Sequence, residues 1–377
     1  MRVIVTGGAG YVGSQLVPAL LNAGHSVVVY DTFWFGDHLP REGARLAKLR
    51  ADIRNVDAFE AAAHGCDAAI HLACLSNDPS SEIDRDLTQS INLDAFEPLV
   101  LAAKAAGVRR FINCSSSSVY GISDAPDVRE DHPLVPLTLY NKFKAQCEPL
   151  LFKHQSPAFE CVNIRPSTVC GYSPRQRLDL VVNIFVSQAY HNGRIIVLGG
   201  DQRRPNLHID DMVDCYLLLL SAPAESVAGQ TFNVGAGNIS ISDLAETVRG
   251  VVSAHRDMRV EIERRGSLDP RSYQVNADKI AKILGFTPRT TTVSDAAGDL
   301  CWAFDRGLVP DAMTDSRYIN VRRMKEVFAD LYQAAGPSKF DPDAGVVSEI
   351  DMLRQRESAA PDRAAKKKKE RSEVRDA

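Results

Sequence analysis

The chain has 377 residues, 45% of them hydrophobic and 24% charged, and a formal net charge of -4. That profile fits a globular protein with enough core for two domains, or for one large domain with an appended lobe. The acidic balance gives a nucleic-acid partner no electrostatic support, and the eight cysteines show no metal-ligand or disulfide-framework spacing, so no metal site is expected.

In chain order, Arg2–Thr6 reads as a buried strand, followed by a glycine turn and a helix over 11–23 that stops at Gly24. Residues 26–30 form a second strand ending at Asp31. Strand character returns at 68–72, Arg110–Cys114 and 160–165, with a helix over 92–106 between them. This alternation predicts an α/β fold of the Rossmann type, a doubly wound parallel sheet over roughly residues 1–170. From 171 to 335 the rhythm loosens into a smaller α/β lobe, with helices over 241–253 and Asp278–Leu284, and some later segments are expected to return to the first domain. Residues 336–377 are polar and end in a lysine run at 366–369 followed by acidic residues, the composition of a solvated tail. No leader pattern precedes the first strand, and the longest apolar runs, such as 215–220, are too short for a bilayer, so a cytoplasmic protein with no membrane partner is expected.

Gly7, Gly10 and Gly13 follow a strand and open a helix in TGGAGYVG. The first permits a tight turn, the second lets backbone approach a pyrophosphate, and the third lets the helix pack closely. The helix N-terminus, with Tyr11 and Val12 in the turn, then offers N–H groups to phosphates. Asp31 closes the second strand eighteen residues after Gly13, where a carboxylate accepts from both ribose hydroxyls and repels a 2′-phosphate. The cofactor expected is therefore NAD.

The Gly7-x-x-Gly10-x-x-Gly13 spacing resembles that of the short-chain dehydrogenase/reductase family, and further segments resemble its extended, nucleotide-sugar epimerase/dehydratase branch over residues 1 to about 335. The resemblance implies that Asp52 and Ile53 lie against adenine, that Leu72 and Ala73 pass the ribose and nicotinamide side, and that Asn92 stands behind the cofactor pocket. Pro136, Tyr140, Lys144 and Glu148 reproduce the family's P-x-x-x-Y-x-x-x-K-x-x-x-E pattern. Tyr140 and Lys144 at i and i+4 share one helix face. Ser116, three residues before Val119 in SSSSVYG, matches the family's catalytic Ser/Thr. A tyrosine titrates near 10, so the lysine ammonium and a positive nicotinamide would be needed to make it a base near neutrality. Lys144 would also hold the nicotinamide ribose.

Arg203 to Asp211 resembles the R-D-x-x-H-V-x-D stretch of nucleotide-sugar enzymes, which maps a diphosphate-binding arginine onto Arg204 and makes His208 and Asp211 structural; Pro205 departs from the pattern. A second diphosphate ligand is expected among Arg264, Arg265 and Arg271, with Arg265 and Arg271 taken as substrate-binding, together with Asn183 and Ser117. Where 4,6-dehydratases carry an Asp-Glu pair, this chain has Ser117 and Ser118. Decarboxylases want a Glu, and 3,5-epimerases a Cys, at the position of Ser118. The expectation is oxidation at C4 of a nucleotide sugar alone: a 4-epimerase, with a 4-dehydrogenase as the alternative that Thr168 and the 173–180 run favour. A reductase of a non-sugar ketone would share the glycine turn, Tyr140 and Lys144 but need no arginine pair. By the same resemblance the chain forms a homodimer through two helices of each subunit.

Overall fold

The computed structural model describes residues 1–123, 125–266 and 274–335; Arg271 and the polar tail at 336–377 lie outside the described residues. Strands β1 (Arg2–Thr6), β2 (Ser26–Asp31), β3 (Leu46–Arg50), β4 (Ala68–His71), β5 (Arg110–Cys114) and β6 (Glu160–Pro166) are separated by helices α1 (Gly13–Asn22), α2 (Val56–Ala63), α3 (Asp78–Ser81), α4 (Arg85–Gln89), α5 (Phe96–Ala105) and α6 (Leu139–Phe152). There follow β7 (Thr168–Cys170), α7 (Val181–Asn192), β8 (Arg194–Leu198), β9 (Arg203–His208), α8 (Ile209–Ser221), α9 (Ala224–Val227), β10 (Gln230–Val234), β11 (Gly237–Ser240), α10 (Ile241–Arg256), β12 (Glu261–Arg265), α11 (Asp278–Leu284), α12 (Thr292–Asp305) and α13 (Asn320–Ala335).

Seven strands form one parallel sheet in the order β10-β6-β5-β4-β1-β2-β3. The strand order reverses between β1 and β4, so the turn after β1 opens at the switch point where open α/β sheets take their ligands. Helices cover both faces, which is why the inner strands are continuous apolar runs and not alternating ones. Val3, Ile4 and Val5 have no exposed surface, and Leu16 and Leu20 of α1 share their cluster with Met212, Tyr216 and Leu219 of α8. The later strand β10 returns to the edge of this sheet beside β6.

A second core gathers α7, α10 and α12 around β8, through Val182, Val186, Leu244, Val248 and Leu300. Beside it stand a three-stranded sheet, β11-β9-β7, and the parallel pair β12-β8. Gly24 (φ +87) and Gly285 (φ +67) end α1 and α11 in the left-handed conformation that glycine adopts without strain.

Two elements differ from the sequence reading. The expected helix at 92–106 begins as a π-helical turn, Ser90–Asp94, and becomes regular only at Phe96. Strand β3 gave no strand signal, because at the sheet edge only Leu46 needs to be buried and the rest of LAKLR faces partly outward. Residues Met1–Val327 form one compact unit, and the end of α13, from Phe328, belongs to another. All eight cysteines are unpaired. Among the described residues no helix is long and apolar enough to cross a membrane.

Candidate active site

The turn after β1 is built on close contact. Gly7 has φ +71, and a Cβ there would come within 2.6 Å of the Ala73 nitrogen; a Cβ on Gly13 would lie 2.5 Å from the Gly8 carbonyl oxygen. The Gly10 N–H closes the turn on the Gly7 carbonyl at 3.0 Å. Val12 stands at the N-cap of α1 and no side chain caps that end, which leaves the helix dipole directed at the turn. A side chain at Gly7 would therefore collide with the backbone at Ala73, and one at Gly13 would collide with the turn itself, so both positions require glycine. The Tyr11 hydroxyl points elsewhere, donating to the Gly171 carbonyl at 2.7 Å, so this side chain ties the turn to the start of the second lobe.

Asp31 holds the same turn from the side. Its carboxylate accepts the Ala9 N–H at 2.9 Å and the Phe33 N–H at 2.7 Å. Burial raises its pKa, and the two N–H donors oppose that shift. Each oxygen keeps a lone pair for a ribose hydroxyl. At the next strand, burial would raise Asp52, but bonds from Arg54 at 2.7 and 3.0 Å hold its carboxyl below the usual range; Ile53 beside it is buried. The Leu72 N–H is bonded to Thr6, and Ala73 lies directly under Gly7. Asn92, on the π-helical turn, pins the loop beyond by exchanging both amide bonds with the Leu75 backbone, at 2.8 and 3.0 Å. His71, buried below, is pushed down to about 3 by burial and then by Lys144, so it is neutral near pH 7.

Tyr140 and Lys144 sit in the first turns of α6, where Thr138 caps the helix through the Asn141 N–H and donates its hydroxyl to Asp78 at 2.5 Å. The Lys144 ammonium is 5.9 Å from the centre of the Tyr140 ring and donates to the Cys114 carbonyl at 2.6 Å. That bond fastens α6 to the end of β5, where the serine loop begins. Burial raises the Tyr140 pKa and the Lys144 charge pulls it back.

The four serines have different surroundings. Ser115 donates to Glu148 at 2.6 Å, and Glu148 takes a two-pronged ion pair from Arg165. Ser117 is buried, at 2% exposure. Ser116 and Ser118 are half-buried, with hydroxyls 2.7 Å apart, and Ser118 donates to Asn141 at 2.5 Å.

The substrate-end residues are spread more widely. Arg204 lies on β9 opposite Ile239 and is half-buried, with Nη1 on the Arg203 carbonyl. Arg265 lies on β12 opposite Leu198, its Nε on Glu263 at 2.7 Å, while Arg264 bonds Ser242. Asn183 has no exposed surface, and its amide bonds the Gly171 N–H, the Arg177 carbonyl and the Tyr11 hydroxyl. It braces the junction of turn and lobe through protein contacts. His208 caps α8 and Asp211 anchors Arg289. Among the described residues, His208, Asp210 and Asp299 come close enough to share an ion. Both His208 nitrogens are already engaged, with Asp299 at 3.1 Å and the Asp210 N–H at 3.2 Å.

Sequence reasoning gave no site role to the 175–179 segment. Arg175 is stacked 3.8 Å from the Phe35 ring centre and bonds Asn320; burial, then Arg177, pushes it down to about 9. Arg177 pairs with Asp179, which also accepts from Asn77. Asn77 is held at φ +80, a strained conformation for a residue with a Cβ. The sequence around these two arginines names none of their partners, and the fold buries both.

A glycine turn at a sheet's switch point, together with a tyrosine and a buried lysine four residues apart on one helix, is the arrangement of the extended short-chain dehydrogenase/reductases, with NAD as cofactor. Residues 3–235 match the model of the NAD dependent epimerase/dehydratase family, and the chain belongs to that family. It is 32% identical over 310 residues to a UDP-glucose 4-epimerase of Mycolicibacterium smegmatis, covering 79% of this chain and 96% of that protein. It is 27% identical to a dTDP-glucose 4,6-dehydratase of an Actinoplanes species, covering 80% and 97%. The solved structure of MoeE5 in complex with UDP-glucuronic acid and NAD superposes with a TM-score of 0.70 at 27% identity, over 81% of this chain and all of that one.

Proposed function

We propose that the chain oxidises C4 of a nucleoside-diphosphate sugar and returns the hydride to the other face of the ring, as a 4-epimerase. The observation that carries this reading is the pairing of Ser118 with Asn141. The positions after Ser116 hold neutral hydroxyls, one buried and one bonded to an amide, with no carboxylate to move protons at C5 or C6. The likeness to a UDP-glucose 4-epimerase supports the same reading.

In the mechanism, Tyr140 takes the C4 hydroxyl proton, and the Lys144 charge beside it lowers the cost of the phenolate. Lys144 reaches its place through the Cys114 carbonyl and is positioned to hold the nicotinamide ribose. NAD supplies the hydride acceptor. Ser116 holds the sugar oxygen as it changes between alcohol and ketone. Arg204 and Arg265 bind the diphosphate, a task suited to the guanidinium fork.

The test is incubation with UDP-glucose, dTDP-glucose, CDP-glucose and GDP-mannose, following NADH absorbance and analysing products by mass and NMR. A product of unchanged mass without lasting NADH is expected. NADH accumulating with loss of two hydrogens makes the protein a 4-dehydrogenase. No turnover despite bound NAD sinks the nucleotide-sugar reading.

A further inference from the structure

Asn77, in the loop after β4, has φ +80 and ψ +157. Glycine is the residue that adopts this backbone region, and a residue with a Cβ stays there only where its surroundings force it to. The Asn77 side chain makes two bonds that a glycine could not. Its Oδ1 accepts the Ser80 N–H at 3.0 Å, and its Nδ2 donates to the Asp179 carboxylate at 3.0 Å. One partner can only donate and the other only accept, which settles the orientation of the amide. Asp179 is a junction. Its carboxylate also takes Nε of the buried Arg177 at 2.8 Å and the Asn320 N–H at 2.9 Å. Asn320 in turn donates its side-chain amide to Ser76 Oγ at 2.9 Å, so the residue ahead of Asn77 is tied to the same point.

Asp78, next in the chain, bonds a different element. Its Oδ1 accepts the Thr138 hydroxyl at 2.5 Å. Thr138 Oγ1 itself accepts the Asn141 N–H at 3.3 Å as the cap of α6, so its proton is free for Asp78 and both bonds have a fixed direction. Tyr140 lies within the turn that this cap closes, where the helix's own bonds are incomplete. What holds Thr138 therefore helps to set where Tyr140 stands. We propose that Asn77 and Asp78 are positioning residues: the strained Asn77 fastens its loop to Asp179, and Asp78 passes that hold through Thr138 to the first turn of α6 and so to Tyr140. This rests on the reading of Tyr140 as the base.

The experiment uses the full chain with NAD bound and the sugar of the panel above that turns over fastest. Asp78→Ala cuts the link to Thr138, while Asp78→Asn keeps an oxygen that accepts the same proton. Asn77→Gly removes both side-chain bonds and leaves a backbone at ease at φ +80, so it serves as a second variant. Asp78→Ala and Asn77→Gly should each lower kcat by about tenfold or more, with KM changed by less than about threefold and the bound NAD retained, because a misplaced base slows the chemical step. Asp78→Asn should recover most of the loss. Thr138→Val removes the same link from its other end, so adding Asp78→Ala to it should cost little more. An unchanged kcat in folded Asp78→Ala or Asn77→Gly overturns the proposal. So does a loss confined to KM, Asp78→Asn being as slow as Asp78→Ala, or losses that multiply in the double variant. Full activity in Tyr140→Phe would instead remove the underlying reading, so the two failures are distinguishable.

Discussion

Tyr140 must lose its proton to act as a base, yet burial pushes its pKa up, and the Lys144 charge beside it pulls it back. Oxidation of the alcohol should then rise with pH as the phenolate forms. Lys144→Met removes the charge that lowers the phenol's pKa, so the rise should move to higher pH and the rate near neutrality should fall. Tyr140→Phe should keep NAD bound while losing about a hundredfold or more in turnover. A pH–rate profile of Lys144→Met that overlays the unaltered one would show that the ammonium does not tune the tyrosine.

At the scale of elements, the catalytic helix is held by a buried ion pair. Glu148 of α6 and Arg165 of β6 have side chains 5% and 6% exposed, and the same guanidinium bonds Tyr120, whose hydroxyl bonds Asn233 of β10. Helix, serine loop and two strands thus meet at one charge pair. Glu148→Ala would leave Arg165 buried without its partner and should cost about 3 kcal/mol or more, read by denaturant unfolding. A loss within the error of the extrapolation would mean that water or another acceptor takes over the arginine. The role of α6 was legible because Tyr140, Lys144 and Glu148 recur at intervals of four on one helix face, with Pro136 at the same interval just ahead of the helix. The network around Glu148 was not legible, since Arg165 and Asn233 are distant in sequence and nothing local marks either as a partner. For the same reason the burial of Arg175 and Arg177 was not legible, since Phe35 and Asn320, which hold Arg175, are far away in sequence.

For the whole molecule, the cofactor cradle draws on β1, β2 and the loop after β4, elements that the unfolded chain keeps apart. We propose that NAD binds the folded form through all three, so it should stabilise by mass action, about 2.7 kcal/mol at a hundredfold excess over Kd, seen as a higher Tm. NADP should shift Tm far less, because the Asp31 carboxylate would face its 2′-phosphate. Equal shifts would end the assignment of selectivity to Asp31. The sequence by itself determined the parallel sheet, the glycine turn and the tyrosine–lysine pair, because each is written in local periodicity or in spacing along one element. Only the tertiary structure decided which of four adjacent serines meets Glu148 and which meets Asn141, and that Asn183 and the Tyr11 hydroxyl serve the protein's own backbone. Those outcomes depend on which distant groups compete for each hydrogen bond once water is excluded, and that competition exists only after the chain has folded.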